Sequence, residues 1–152
     1  MKLPADVVES LNKTPMKTLT YCDANVLIYT ANETDPIKRY RALTVIGDKR
    51  REMVASKFLW LETVPQAKAW RRKKESQYLN WFFTNRVKHW IEDERSLFDA
   101  AEQLIEQHKL QLLDALHLAA AMSLNAEFIT AEKPTKPFFS AYPKAISIHF
   151  AK

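Results

Sequence analysis

Short apolar runs alternate with longer amphipathic stretches along most of the chain. Residues 18–22 (TLTYC) are β-prone and end at Asp23. Residues 25–31 read as a helix, and Pro36 opens a second that runs to about Gly47. Residues 52–56 (EMVAS) predict a short strand, followed by a helix through Leu59, Leu61 and Val64 towards Trp70. Pro65 lies inside that helix, where its ring and missing N–H predict a kink or a split. Residues 77–87 predict a helix carrying Trp81, Phe82 and Phe83, residues 89–91 a short strand, and residues 94–108 an amphipathic helix. Residues 112–126 are rich in Leu and Ala without Gly or Pro, and are apolar on almost every face, which predicts a buried helix. The run Phe128-Ile129-Thr130 then reads as a buried parallel strand. Pro134 and Pro137 break the chain, and residues 145–150 (AISIHF) alternate like a last strand. Strands alternating with helices predict an α/β fold whose mainly parallel sheet is covered on both faces. Residues 1–17 stand apart as an N-terminal appendage, with a short amphipathic piece at 5–11 closed off by Pro15, and residues 18–152 form the domain.

Composition narrows this picture. A chain of 152 residues suits one domain with a real core, and 47% hydrophobic with 27% charged residues of both signs argues against disorder. A single cysteine, Cys22, excludes an internal disulfide and any cysteine-rich zinc site, and predicts an inert buried thiol in a reducing interior. No run is long enough to span a bilayer and the start lacks the apolar core of a signal peptide, so a cytoplasmic protein is expected. One glycine, Gly47, leaves no glycine-rich loop to cradle nucleotide phosphates. The net charge of +5 favours a polyanionic partner, and the densest basic run is KAWRRKK at 68–74.

Four acids carry the candidate chemistry. Asp23 ends the first strand, and Glu62 lies in the helix after the second. Asp114 sits in the apolar helix with His117 one turn later, and Glu132 follows the strand at 128–130. A parallel sheet gathers such positions along one edge, where ligand sites of open α/β sheets lie. Clustered carboxylates repel one another unless a cation neutralises them, and oxygen-only ligands favour Mg²⁺ or Mn²⁺. Such ions activate water and stabilise the leaving oxygen of a phosphodiester. An acidic cleft on a basic protein is what a nuclease needs.

These residues resemble a known family. YCDANVLIY at 21–29 is similar to the opening D-x-N motif of PIN-domain ribonucleases, and LLDALHLAAA at 112–121 resembles their third-acid helix. FITAE at 128–132 resembles their T-x-D strand end, and residues 56–62 match the spacing around their second acid. The ordered set covers about residues 18–150. The resemblance implies a three-layer α/β/α fold and Mg²⁺- or Mn²⁺-dependent endonucleolytic cleavage of RNA. For small members, especially the VapC-type toxins, it also implies a homodimer inhibited by an antitoxin protein. Carried over, Asp23, Glu62, Asp114 and Glu132 would be catalytic metal ligands. Asn25 would orient Asp23 or a water, and Thr130 would support the fourth position. Glu132 departs from the pattern, since the family usually has Asp there.

Each residue has a duller reading. Asp23 and Asn25 fit a strand end and a helix cap, Glu62 a solvated helix residue, Asp114 an N-terminal cap, and Glu132 the start of a loop. His117 reads as a packed or hydrogen-bonded neighbour of the site rather than a ligand. The basic run suits a solvated helix face better than an RNA groove, and Trp60, Trp70, Trp81 and Trp90 read mostly as core, with some available to a partner. The competing function is a PIN-like fold that binds RNA or protein without cutting. A flap-endonuclease-type DNA nuclease is disfavoured, because the chain is short and shows no threading arch.

Overall fold

The computed structural model of the chain describes Pro4 and residues 17–31, 34–92 and 94–149. The expected N-terminal appendage, including its amphipathic piece, lies outside the described residues apart from Pro4 and Lys17. The elements in order are β1 (Thr18–Cys22), α1 (Ala24–Ala31), α2 (Pro36–Ile46), β2 (Arg51–Ala55), α3 (Lys57–Ala69) and α4 (Lys73–Trp81). A π-helical turn (Phe82–Arg86) leads into β3 (Val87–Trp90), α5 (Glu94–His108), α6 (Leu112–Ser123), β4 (Glu127–Thr130), α7 (Phe138–Ala141) and β5 (Ala145–Ser147).

The strands form one sheet in the order β3-β2-β1-β4-β5, and every pairing is parallel. Along β2 and β4 consecutive residues are buried (Met53, Val54 and Ala55; Phe128, Ile129 and Thr130), so both sheet faces are covered. This is the three-layer α/β/α arrangement expected. The topology also locates a site. The chain runs outward from β1 through β2 to β3, then returns to lay β4 on the other side of β1. The β1/β4 seam is therefore the switch point, and its carboxyl end opens a crevice where the two connections diverge. Asp23 follows β1 there, and its backbone N–H donates to the Ile129 carbonyl at 2.9 Å, which ties it to β4.

Local signals explain most element ends. Asp35 caps α2 by accepting the Lys38 N–H at 3.1 Å, with Pro36 in the first turn, and Ser56 caps α3 by accepting the Leu59 N–H at 3.2 Å. α6 stops at Ser123, and Asn125 takes the left-handed conformation (φ 51°) that turns the chain into β4.

Several expectations are corrected. Pro65 does not split α3, which is continuous from Lys57 to Ala69. The carbonyl that loses its partner is that of Leu61, which is exposed, so water can hydrate it. α4 begins at Lys73, ahead of the expected 77, and the expected helix to 87 gives way to the π turn and β3. The basic run is not a helix face. It wraps the α3–α4 corner, where Arg71 is left-handed (φ 55°). α6 is not buried all round, because Leu112, Leu113 and Met122 are exposed at its ends. Trp70 (71% exposed), Trp81 and Trp90 are exposed, although the Trp90 ring stacks on buried Phe83, and Trp60 packs partly against the core. They fall at a helix end, a helix end and an edge strand, where the sheet and its helices offer one face at most. α7 was not expected, and β5 ends at Ser147 rather than 150.

Candidate active site

Asp23 is nearly buried, and both of its oxygens are engaged. Oδ1 accepts the Asn25 backbone N–H at 2.8 Å, and Oδ2 accepts the Thr130 hydroxyl at 2.8 Å. Each carboxylate oxygen still has a lone pair to offer. The Asp23 carbonyl meanwhile accepts from Val26 N–H at 3.2 Å, opening α1, so the residue is a helix start and a site candidate at once. Burial pushes its carboxyl above the ordinary range, the Asn25 and Thr130 hydrogen bonds pull it down, and the Glu62 charge adds to the rise.

Asp114 sits in the first turn of α6, half-buried. It is not a cap: Gln111 holds that position, and among the described residues the Asp114 carboxylate accepts no hydrogen bond. Burial raises its pKa first, then the charges of Asp23, Glu132 and Glu62, against a lowering by His117. Asp114 is therefore near enough to feel the charges of the other three acids. Thr130, at the carboxyl end of β4, joins two of them, since its hydroxyl oxygen also accepts the Glu132 backbone N–H at 3.1 Å. Asn25 contributes only its main chain, and its side chain is exposed.

Glu62 points from α3 towards His117, whose Nε2 is hydrogen-bonded to its Oε2. An ionised carboxylate only accepts, so in the neutral ring Nε2 carries the proton and Nδ1 accepts. Nδ1 lies 2.7 Å from the Tyr21 hydroxyl, which lies 2.6 Å from Ser56 Oγ. Tyr21 is fully buried, and that burial lifts its pKa far above the ordinary phenol value, so its hydroxyl stays protonated. Cys22, also buried, has its thiol raised by desolvation and is inert as expected.

No arginine or lysine among the described residues pairs with Asp23, Glu62, Asp114 or Glu132. The site holds mutually repelling carboxylates at the end of a parallel sheet, with His117 the basic side chain set against them. That donor set, oxygen-only with Asp23 and Asp114 both pushed up by burial, suits a hard divalent cation. As the side chains stand, no three His, Cys, Asp or Glu among the described residues converge into a ready-made metal cage. The basic run stands apart. Lys68, Arg71, Arg72 and Lys73 line a cavity of about 330 Å³ that none of the four acids touches.

Residues 20–134 match the PIN domain family over most of the chain. The chain belongs to this family. Its fold is that of a toxin–antitoxin complex component from Klebsiella pneumoniae (22% identity, TM-score 0.64), covering 85% of this chain and 97% of that one. VapBC2 from Rickettsia felis, bound to a DNA fragment from its promoter, matches at 19% identity and TM-score 0.60 over 85% and 96% of the two chains. VapC20 from Mycobacterium tuberculosis, a toxin that cleaves the sarcin–ricin loop, matches at 13% identity and TM-score 0.62 over 83% and 98%. No functionally curated protein matches the sequence. Among the described residues, no helix of this PIN domain is long and apolar enough to cross a membrane.

Sequence reasoning singled out the four acids but assigned no role to Tyr21 and Ser56. Both look like ordinary strand and cap residues, and only the packing of β1 against α3 and α6 brings them to His117. No spacing signal marks that meeting.

Proposed function

We propose that this PIN protein is a metal-dependent endoribonuclease and the toxin of a toxin–antitoxin pair. The observation that carries the reading is the group of Asp23, Glu62, Asp114 and Glu132 at the sheet's switch point, buried in part and, among the described residues, paired with no lysine or arginine. These residues would hold Mg²⁺ or Mn²⁺. A divalent ion there supplies positive charge that polarises the scissile phosphate and makes water a stronger nucleophile. The protein's own part is to keep the ligands in place. Thr130 and the Asn25 amide orient Asp23, α6 presents Asp114 from a rigid helix, and the Thr130 hydroxyl anchors the main chain at Glu132. Water adds to phosphorus and the P–O3′ bond breaks, leaving a 5′-phosphate and a 3′-hydroxyl. The similarity to a toxin–antitoxin complex and to a loop-cleaving toxin supports an RNA substrate and an antitoxin partner; a homodimer working in the cytoplasm is carried over from the family resemblance alone. Residues 18–152 form the nuclease domain, and 1–17 lie outside it.

The test is cleavage of labelled tRNA and structured RNA by antitoxin-free protein with Mn²⁺, Mg²⁺ or EDTA. Metal-dependent cuts lost in Asp114→Asn are expected; metal-independent cutting, or full activity in that variant, overturns the assignment. A second reading, a PIN module that binds RNA without cutting, is favoured by Glu132 in place of the family's usual Asp. It predicts RNA binding without cleavage, with Glu132→Asp restoring a measurable rate.

A further inference from the structure

His117 does more than fill space beside the carboxylates. It is 3% exposed, and both ring nitrogens are engaged by groups from different elements. Nδ1 meets the Tyr21 hydroxyl of β1, and Nε2 meets Glu62 of α3, while the ring itself belongs to α6. The Tyr21 hydroxyl is held in turn by Ser56, the cap of the helix that carries Glu62. One proton arrangement satisfies every member. The Leu59 N–H donates to Ser56 Oγ, the Ser56 hydroxyl to Tyr21, the Tyr21 hydroxyl to Nδ1, and Nε2–H to Glu62. The chain therefore starts and ends on α3.

We propose that His117 is a positioning residue whose Nε2–H fixes one oxygen of Glu62, with Tyr21 and Ser56 locking the ring, so that the other oxygen is presented to a divalent cation. This rests on the metal-dependent reading above. Glu62 is a candidate ligand that gains from such help. Its side chain is 32% exposed, and unlike Asp23 it has no backbone N–H or hydroxyl among the described residues to hold it. A free glutamate has several rotamers to give up on binding an ion. One already held by a buried imidazole gives up fewer, and binding gains accordingly. Hydrogen-bond partners behind metal ligands typically change metal affinity by about 10–100-fold when removed.

The experiment is calorimetric Mn²⁺ titration of the full chain, with melting temperature measured alongside. Wild type, Asp23→Asn, Tyr21→Phe, His117→Ala, His117→Gln, Glu62→Gln and the Glu62→Gln/His117→Ala pair are compared. Asp23→Asn loses Mn²⁺ binding, which checks the carboxylate site itself. His117→Ala weakens Mn²⁺ by about 10–100-fold, and His117→Gln, which keeps an N–H donor at similar reach, recovers part of the loss. On the Glu62→Gln background, His117→Ala brings no further loss. Tyr21→Phe removes only the hydroxyl and gives a smaller loss in the same direction, so it carries the test should His117→Ala fail to fold. Folded His117→Ala and Tyr21→Phe binding Mn²⁺ as wild type does would overturn the positioning role while leaving the metal site intact. So would a full His117→Ala loss on the Glu62→Gln background. Wild type binding no Mn²⁺ that Asp23→Asn abolishes would instead overturn the metal-dependent reading.

Discussion

The two ends of the sheet treat their acids in opposite ways. At the amino end, Arg51 is buried on β2 between Glu127 of β4, at 2.6 Å, and Asp48, at 2.9 Å, and Thr20 of β1 donates to the same Glu127 at 2.7 Å. Asp48 is held down to about 2, first by its hydrogen bonds from Arg50. At the carboxyl end, Asp23 and Asp114 are pushed up by burial and by neighbouring acids, and no lysine or arginine among the described residues answers them. The same strands, β1, β2 and β4, run through both. Arginine faces part-buried acids at one end and, among the described residues, none at the other, which is the contrast behind the proposed divalent-cation site. The acids of the amino end are neutralised within the fold; those of the carboxyl end are the ones proposed for chemistry.

The largest effect should come from breaking the acidic end. Asp23→Asn or Asp114→Asn should lower metal-dependent RNA cleavage by ~10³-fold or more, the several kcal/mol that metal charge supplies. Both variants should still fold, as circular dichroism and melting will check. Next in size is the amino end. Arg51→Met leaves Glu127 with only the Thr20 hydroxyl, while Asp48 keeps Arg50; it should destabilise the protein by about 3 kcal/mol in urea unfolding, with Mn²⁺ affinity retained in whatever remains folded. Equal damage to metal binding and stability from Arg51→Met would erase the distinction between the ends.

The ends should also separate by pH. Asp23 and Asp114 have folded pKa values above their ordinary 3.8, so the folded state binds more protons than the unfolded chain between 3.8 and those raised values. Stability of the metal-free protein from these groups therefore falls as pH rises through that window. Asp48 does the reverse: its contribution is present above 3.8 and is lost as pH falls towards about 2. Melting without metal should accordingly pass through a maximum at acidic pH, and Asp114→Asn should flatten its upper side. A melting temperature that climbs steadily through that window would contradict the uncompensated cluster. The smallest effect is expected from Thr130→Val, which leaves an Asp23 oxygen and the Glu132 N–H without their partner. It should destabilise by about 1–3 kcal/mol and weaken Mn²⁺ binding, measured by the same calorimetry.

Much of this was legible beforehand, and the misses are instructive. The strand at Thr18–Cys22 was visible from its β-prone residues, and residues 128–130 of the strand Glu127–Thr130 because a parallel strand covered on both faces reads as a continuous apolar run. The helix at Leu112–Ser123 was visible in type, but its exposed Leu112 and Leu113 were read as buried, since apolar identity alone does not say which face meets the core. The tryptophans failed for the same reason. The short α7 and the π turn carry too few residues to show a period.

The amino-acid sequence by itself determined the fold class, the order of elements and the four acids with their flanking motifs. Those follow from local periodicity and from residue types at strand ends, which act over a few residues. Only the tertiary structure decided that Thr130 bonds Asp23 across the β1/β4 seam, that Arg51 neutralises Glu127 and not the site, and that Tyr21 and Ser56 meet at His117. Each of these contacts joins residues far apart in the chain. Which polar groups meet there depends on strand register and helix placement, and these are settled by burial of the whole core rather than by any neighbour in sequence.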